Sequence, residues 1–271
     1  MEAHMDLNNV IEPIVELAKK AGDAILEVYA TDFDVQAKDD ESPLTQADMA
    51  AHIIIDRGLS QLTPDIPIIS EESGLPEFAV RSQWTRYWLV DPLDGTKEFV
   101  NRNDEFTVNI ALIDNHRPIL GVVHIPVMNK TYTGVAGSGA AVRSGDDAPQ
   151  PIAVAAASAK PVRVVGSRSH RGASLDAFLE RLGEYDMHPM GSSLKFCVIA
   201  EGGADIYPRL GLTSEWDTAA AQAVVEQAGG AVLQLDGRPL DYNAKEDILN
   251  PHFLVRGPTD QDWLAIIAAG E

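Results

Sequence analysis

The amino-acid sequence predicts a layered fold that joins an α+β half to an α/β half, and three observations carry that prediction. A long amphipathic helix opens the chain, with Leu7, Val10, Ile11, Ile14, Ala18, Ala21, Ile25 and Val28 on one helical stripe. Between residues 106 and 155, short β-forming runs follow one another through tight polar turns, which marks an antiparallel meander. After about residue 158, β-runs alternate with helical segments, which marks a mostly parallel sheet. We therefore divide the 271 residues into 1–157 and 158–271, with a wide interface between the halves instead of a flexible linker.

In the first half the opening helix is scaffold. Residues 31–38 read as a turn into a strand, and Lys38-Asp39-Asp40-Glu41-Ser42-Pro43 as a charged loop. Thr45-Gln46-Ala47-Asp48 opens a second helix, whose expected apolar face includes Met49, Ile53, Ile54 and Leu59. Thr45 and Asp48 have the spacing of a capping box, with Asp in place of the usual Glu. Ile66 to Ile69 is a short strand that Ser70-Glu71-Glu72-Ser73-Gly74 breaks off.

Tyr87-Trp88-Leu89-Val90 is a short apolar run of β-formers and reads as a buried strand. Asp91 ends it, and Pro92, which has no N–H to donate, is expected to stop the pairing there. Leu93-Asp94-Gly95-Thr96 reads as a tight turn in which Gly95 takes positive φ and exposes backbone N–H groups. Meander strands are expected at 106–113, 119–125 and 130–135, with a further pair near 140–143 and 152–155.

The second half begins with a strand at 162–166, helices at 175–182 and 193–200, and a strand at 204–207. A helix over 217–228 carries Asp217 at its N-terminus, where a carboxylate is favoured, and Gly229-Gly230 closes it. Strands at 231–235 and 253–255 and a helix over 260–269 complete the chain.

Composition narrows the function. A formal net charge of −20 argues against nucleic-acid polymers and anionic membrane surfaces as partners, since both need basic patches. A small anionic ligand remains compatible, provided cations reverse the sign inside its site. The single cysteine, Cys197, cannot form an internal disulfide and reads as a buried small hydrophobe. No apolar run reaches membrane-spanning length and the first residues do not resemble a signal peptide. A reducing cytoplasm fits, with peripheral placement at the inner face of the cell membrane and the oligomeric state both left open.

Asp91 and Asp94, at a strand end and followed at once by a Gly-Thr turn, are costly to leave uncompensated. A hard cation bound by carboxylate and carbonyl oxygens would compensate them, and the free amides of the turn could then hold an anion. The alternative is a plain acidic turn with a cap. Glu71 and Asp217 would extend the acidic cluster, with Asp91 able to bridge two cations.

The motifs point to a family. Trp88-Leu89-Val90-Asp91-Pro92-Leu93-Asp94-Gly95-Thr96-Lys97-Glu98-Phe99 resembles the first signature of the lithium-sensitive, Mg²⁺-dependent phosphatases of the inositol monophosphatase superfamily. Trp216-Asp217-Thr218-Ala219-Ala220, closed by Gly229-Gly230, resembles the second, and Ser70-Glu71-Glu72-Ser73 and Leu44-Thr45-Gln46-Ala47-Asp48 match two shorter segments in order. Lys97-Glu98-Phe99, Phe106 to Leu112, Gly191-Ser192-Ser193-Leu194-Lys195 and Tyr207-Pro208-Arg209 are similar to the bacterial 3′(2′),5′-bisphosphate nucleotidase branch.

The resemblance implies an α-β-α-β-α sandwich and the removal of the 3′-phosphate from adenosine 3′,5′-bisphosphate, a by-product of sulfur assimilation. It implies that Glu71, Asp91 and the Leu93 carbonyl hold one Mg²⁺ and that Asp91, Asp94 and Asp217 hold a second. Glu71 with waters would support a third. The Gly95 and Thr96 amides would receive the scissile phosphate. The Thr96 hydroxyl, oriented by Asp48 and supported by Thr45 and Lys38, would position or deprotonate the attacking water, with Glu71 also in the catalytic set. Substrate contacts are implied for Glu71, Leu93, Asp94, Gly95, Thr96, Ser192, Lys195, Arg209 and Asp217. Arg209 matches a position that is acidic in inositol phosphatases, and its cation favours a second phosphate over a neutral polyol, with Lys195 as helper. His170 would stack near the base or bind a phosphate, with a structural histidine as the alternative. Inositol monophosphatase and a non-catalytic Mg²⁺- or Ca²⁺-binding protein are the alternatives.

Overall fold

A computed structural model describes residues 5–31, 43–167 and 172–268. The expected strand and charged loop before Pro43, with Lys38, and the His170 position lie outside the described residues.

Helix α1 (Leu7–Tyr29) starts where the Asp6 side chain accepts the Asn8 N–H, and it buries Ile14, Val15, Ala18, Ala21 and Ile25, much of the expected stripe. Helix α2 (Pro43–Leu62) begins two residues before Thr45, so Thr45 and Asp48 lie inside the helix and the capping-box reading fails. Its buried face is Ala47, Ala51, Ile55 and Leu59, whereas Met49 and Ile53 are exposed. Small alanines, not the larger Met and Ile, permit its close packing on α1 and the sheet.

The first sheet runs β1 (Ile68–Ser70), β2 (Arg86–Asp94), β3 (Thr107–Asp114), β4 (Arg117–Ile125), β5 (Lys130–Val135), β6 (Gly139–Ser144) and β7 (Gln150–Ile152), in that spatial order. All its pairs are antiparallel except β1 with β2. Strand β2 is covered on both faces, which explains its unbroken apolar run. Trp88 and Val90 face the core with α1 and α2, while Tyr87 and Leu89 face a second core.

β2 does not stop at Pro92. Asp91 pairs with Asn109 and Asp94 with Thr107, so three steps on β2 oppose two on β3. The extra residue is taken up as a bulge, which accommodates the proline without ending the strand. Gly95 then takes φ +100° and leads into the short helix α4 (Thr96–Val100), after the short α3 (Phe78–Arg81) earlier in the chain. Phe99 fixes α4 by packing against Tyr29 and Phe106, with ring centroids 5.1 and 5.5 Å away.

The second sheet is ordered β11 (Ala231–Gln234), β12 (Phe253–Arg256), β10 (Ile206–Arg209), β8 (Val162–Ser167) and β9 (Tyr185–Met190). It is parallel across β10, β8 and β9 but antiparallel where β12 joins β10 and β11, so a mostly parallel sheet holds for one side only. β9, whose Tyr-Asp-Met-His-Pro-Met run carries a proline and two charged or titratable residues, was not expected from the sequence.

Helices α6 (Leu194–Ala200) and α7 (Ala219–Gln227) lie between the sheets, and α5 (Ala173–Leu182) and α8 (Trp263–Ala268) cover the outer face of the second. Three buried clusters separate the five layers. Among the described residues, no helix is long and apolar enough to cross a membrane.

Candidate active site

The expected site residues are brought together where the two sheets meet. A cleft of about 310 Å³ is lined by Glu71, Asp91, Leu93, Asp94, Gly95, Thr96, Ser192, Lys195, Arg209 and Asp217, together with Ser193, Thr213 and Ser214. Sequence separations of more than a hundred residues close up here because strand parity and the bulge set the directions. On β2 and β3, Asp91 and Asn109 share the face of Leu89 and Ala111, which looks into the middle layer. The α6 and α7 helices present Ser193 and Asp217 from that layer.

Asp91 is buried, with 1% exposure, and its Oδ1 accepts the Leu93 N–H at 3.1 Å. Its carboxyl is pushed far above the ordinary range by burial first, then by Asp94, Glu71, Asp217 and Asp48. Asp217 is raised in the same sense, by burial first and then Asp94, although its Oδ2 accepts the Ser214 N–H at 3.0 Å. Glu71, in the single turn Glu71–Ser73 after β1, is raised by burial, with Glu72 and Asp94 adding and a hydrogen bond with Asp91 opposing. Asp94 is held by the Ser192 hydroxyl and the Ser193 N–H, both at 2.6 Å from Oδ2.

These all-oxygen donors suit a hard divalent cation, whose charge would offset the mutual repulsion of buried carboxylates. The fit is chemical: among the described residues, no three acidic or metal-binding side chains already converge as a finished coordination cluster.

Asp48 lies on α2 near Glu71 and Glu72, and burial followed by those two charges pushes it up to about 8. Thr96 lines the cleft, whereas Asp48 is not among its lining residues. Asp217 is not the helix cap; Thr218 is the cap residue of α7, and Asp217 precedes it in the cleft wall.

Lys195 is buried, its ammonium bonded to the Ser192 and Met190 carbonyls and 5.5 Å from the Tyr207 ring centroid. Burial lowers it to about 8 against the opposing pull of Asp94. It therefore braces the 190–192 turn as well as lining the cleft. Arg209, at the end of β10, donates Nε to Thr213 Oγ1 and Nη2 to the Leu212 carbonyl.

Sequence reasoning passed over Thr107, Asn109, Ser193 and Thr213 as site residues. All four are neutral; Thr107, Asn109 and Ser193 matter through partners far along the chain, and Thr213 through Arg209 four residues before it. The recurring Ser192-Ser193 pair ahead of a helix was the one local signal available.

The Inositol monophosphatase family matches residues 6–265. The chain is 53% identical over 248 residues to 3′(2′),5′-bisphosphate nucleotidase CysQ of Escherichia coli O157:H7, covering 91% of this chain and 99% of that protein. Its fold is similar to that of CysQ from Bacteroides thetaiotaomicron, with a TM-score of 0.86 and 40% identity over 94% of this chain and 99% of the other. An inositol monophosphatase from Zymomonas mobilis shares the fold at TM-score 0.80 and 20% identity, covering 98% of this chain and 100% of that one. Motifs, layers and cleft agree with these matches, and the chain belongs to the inositol monophosphatase family.

Proposed function

We propose that this protein is a Mg²⁺-dependent, lithium-sensitive phosphatase that removes the 3′-phosphate of adenosine 3′,5′-bisphosphate to give AMP and phosphate. The observation that carries the reading is that one cleft holds both the carboxylate set Glu71, Asp91, Asp94 and Asp217 and the cation Arg209. A polyol monophosphate offers Arg209 hydroxyl oxygens but no second anion, whereas a bisphosphate gives it a charge-assisted partner. The relatives named bisphosphate nucleotidases, more than half identical in several cases, support the same substrate.

In this reading Glu71, Asp91 and the Leu93 carbonyl would hold one Mg²⁺, Asp91, Asp94 and Asp217 would hold a second, and Glu71 with waters would support a third. Mg²⁺ held there would neutralise phosphoryl charge and activate water, which the slowness of phosphomonoester hydrolysis demands. The chain's own residues do the rest. Gly95, at positive φ, and Thr96 line the cleft, where their amides would receive the phosphate. The Thr96 hydroxyl positions the attacking water, and Asp48, largely protonated at neutral pH before cations arrive, becomes its proton acceptor once the neighbouring carboxylates are compensated. Arg209, steadied by Thr213, takes the 5′-phosphate, and Ser192 and Lys195 shape the floor beneath it.

The lone cysteine, buried and unpaired, is in keeping with work in a reducing cytoplasm. A substrate panel tests the proposal: phosphate release in Mg²⁺ from adenosine 3′,5′-bisphosphate, inositol 1-phosphate and fructose 1,6-bisphosphate. The bisphosphate nucleotide should give the highest kcat/KM. Preference for inositol 1-phosphate would refute the substrate, and no phosphate release from any would refute the enzyme.

A further inference from the structure

Thr107, Asn109 and Ser193 form a buried polar strut behind the carboxylates, none of them more than 2% exposed. Ser193 uses both of its polar groups on residues of the cleft. Its N–H donates to Asp94 Oδ2 and its hydroxyl donates to the Asp217 carbonyl, each at 2.6 Å. The hydroxyl has only one hydrogen, so its direction must be fixed for that second bond to persist. Asn109 fixes it by donating Nδ2 to Ser193 Oγ at 3.0 Å, occupying the lone pair and leaving the hydrogen for Asp217. Asn109 is in turn the cross-strand partner of Asp91, and its Oδ1 accepts the Thr107 hydroxyl at 3.1 Å. The strut thus starts opposite Asp91, passes Asp94 and ends on Asp217, linking a strand of the first sheet to the segment before α7.

We propose that Asn109 and Ser193 are positioning residues for the cation site, with Asn109 acting through the Ser193 hydroxyl to hold Asp217 at a fixed place relative to Asp91 and Asp94. This rests on reading those three aspartates as cation ligands. The cost of assembling mutually repelling carboxylates without a cation gives the strut its purpose. Left to themselves Asp217 and the β2 carboxylates would move apart, and a cation would have to draw them together at the expense of its own affinity. Neutral amide and hydroxyl groups suit the task because they add no charge to compete with the cation.

The test is calorimetric titration of Mg²⁺ into the metal-stripped full chain, for Ser193→Ala, Asn109→Ala, the double variant and Asp91→Asn, with thermal melts of the metal-free proteins. Each single change should weaken Mg²⁺ about 10- to 100-fold, as loss of a ligand-orienting partner does. The double variant should be no weaker than the weaker single, because the two residues act as one unit. Metal-free melting temperatures should not follow the order of the affinities. Wild-type affinity in either folded single variant, or losses that multiply in the double, would overturn the strut. If one variant does not fold, the other single variant decides on its affinity alone. Asp91→Asn separates the two levels: wild-type affinity there would overturn the ligand reading itself, whereas loss there with wild-type binding in Ser193→Ala would overturn the strut alone.

Discussion

A Cβ placed on Gly121 of β4 would stand 2.1 Å from the carbonyl oxygen of Ala220 in α7. The first sheet and the middle helix therefore touch backbone to backbone, three residues after Asp217 enters the cleft. Ala220 cannot yield as a flexible side chain would, so Gly121→Ala must push α7 off the sheet. We expect a loss of about 1–3 kcal/mol or more in chemical denaturation, typical of overpacking a tight core. Activity should fall as well, because Asp217 moves with the start of the helix. Wild-type stability in Gly121→Ala would show that the contact is looser than drawn.

Asp94→Asn keeps the shape of the side chain and removes its charge. The Ser192 hydroxyl and Ser193 N–H that meet Oδ2 can still meet the amide oxygen, so the circular dichroism spectrum should be unchanged. Turnover in Mg²⁺ should drop by more than about 100-fold, beyond what loss of an outer partner causes. Relief of like-charge crowding with Asp91, Glu71 and Asp217 should leave the metal-free protein at least as stable as the wild type. Activity near wild type at limiting Mg²⁺ would remove Asp94 from the ligand set.

Arg209→Ala tests the substrate end. Charge-assisted bonds to a phosphate are worth about 1.5–3 kcal/mol each when shielded from water. Losing two should lower kcat/KM for adenosine 3′,5′-bisphosphate by roughly a hundred- to ten-thousand-fold, with far less change for a nucleoside 3′-monophosphate. Equal losses on both would mean that Arg209, through Thr213 and Leu212, supports the cleft generally.

The pH dependence of metal-free stability follows from Asp48. Its carboxyl stands at about 8 in the folded chain against 3.8 ordinarily, because of burial first and then Glu72 and Glu71. The folded state therefore holds the proton that the unfolded state releases, and unfolding free energy falls as pH rises from about 4 to about 8. Asp91, Asp217 and Glu71 are shifted in the same direction and steepen the fall. Melting temperature without divalent cation should be higher at pH 5.5 than at pH 7.5 (about two units apart across that window) and Mg²⁺ should flatten the difference by stabilising the ionised site. A metal-free stability that rises over the same interval would contradict the arrangement of these carboxylates.

By itself the sequence determined the parts whose cause is local. The apolar stripe of α1, the run Tyr87 to Val90, the meander turns and the positive φ of Gly95 each follow from side chains within a few residues of one another. The acidic motifs were legible for the same reason, since Asp91, Asp94 and their Gly-Thr turn are adjacent in the chain. Tertiary structure decided what depends on distant neighbours. Pro92 stays in β2 because β2 bulges there against the shorter β3 register, and α2 buries Ala47 and Ala51 in place of Met49 and Ile53 because the space beside α1 is narrow. β9 forms despite Pro189 because β8 supplies a parallel partner, and β12 enters against the direction of β10. Most of all, Ser193 and Asn109 fall within motif runs but nothing local assigns them a role: two neutral side chains 84 residues apart acquire one only where packing sets them between Asp94 and Asp217. Hydrogen bonds act over about 3 Å and depend on direction, so their partners are chosen by the folded backbone and not by the order of residues along it.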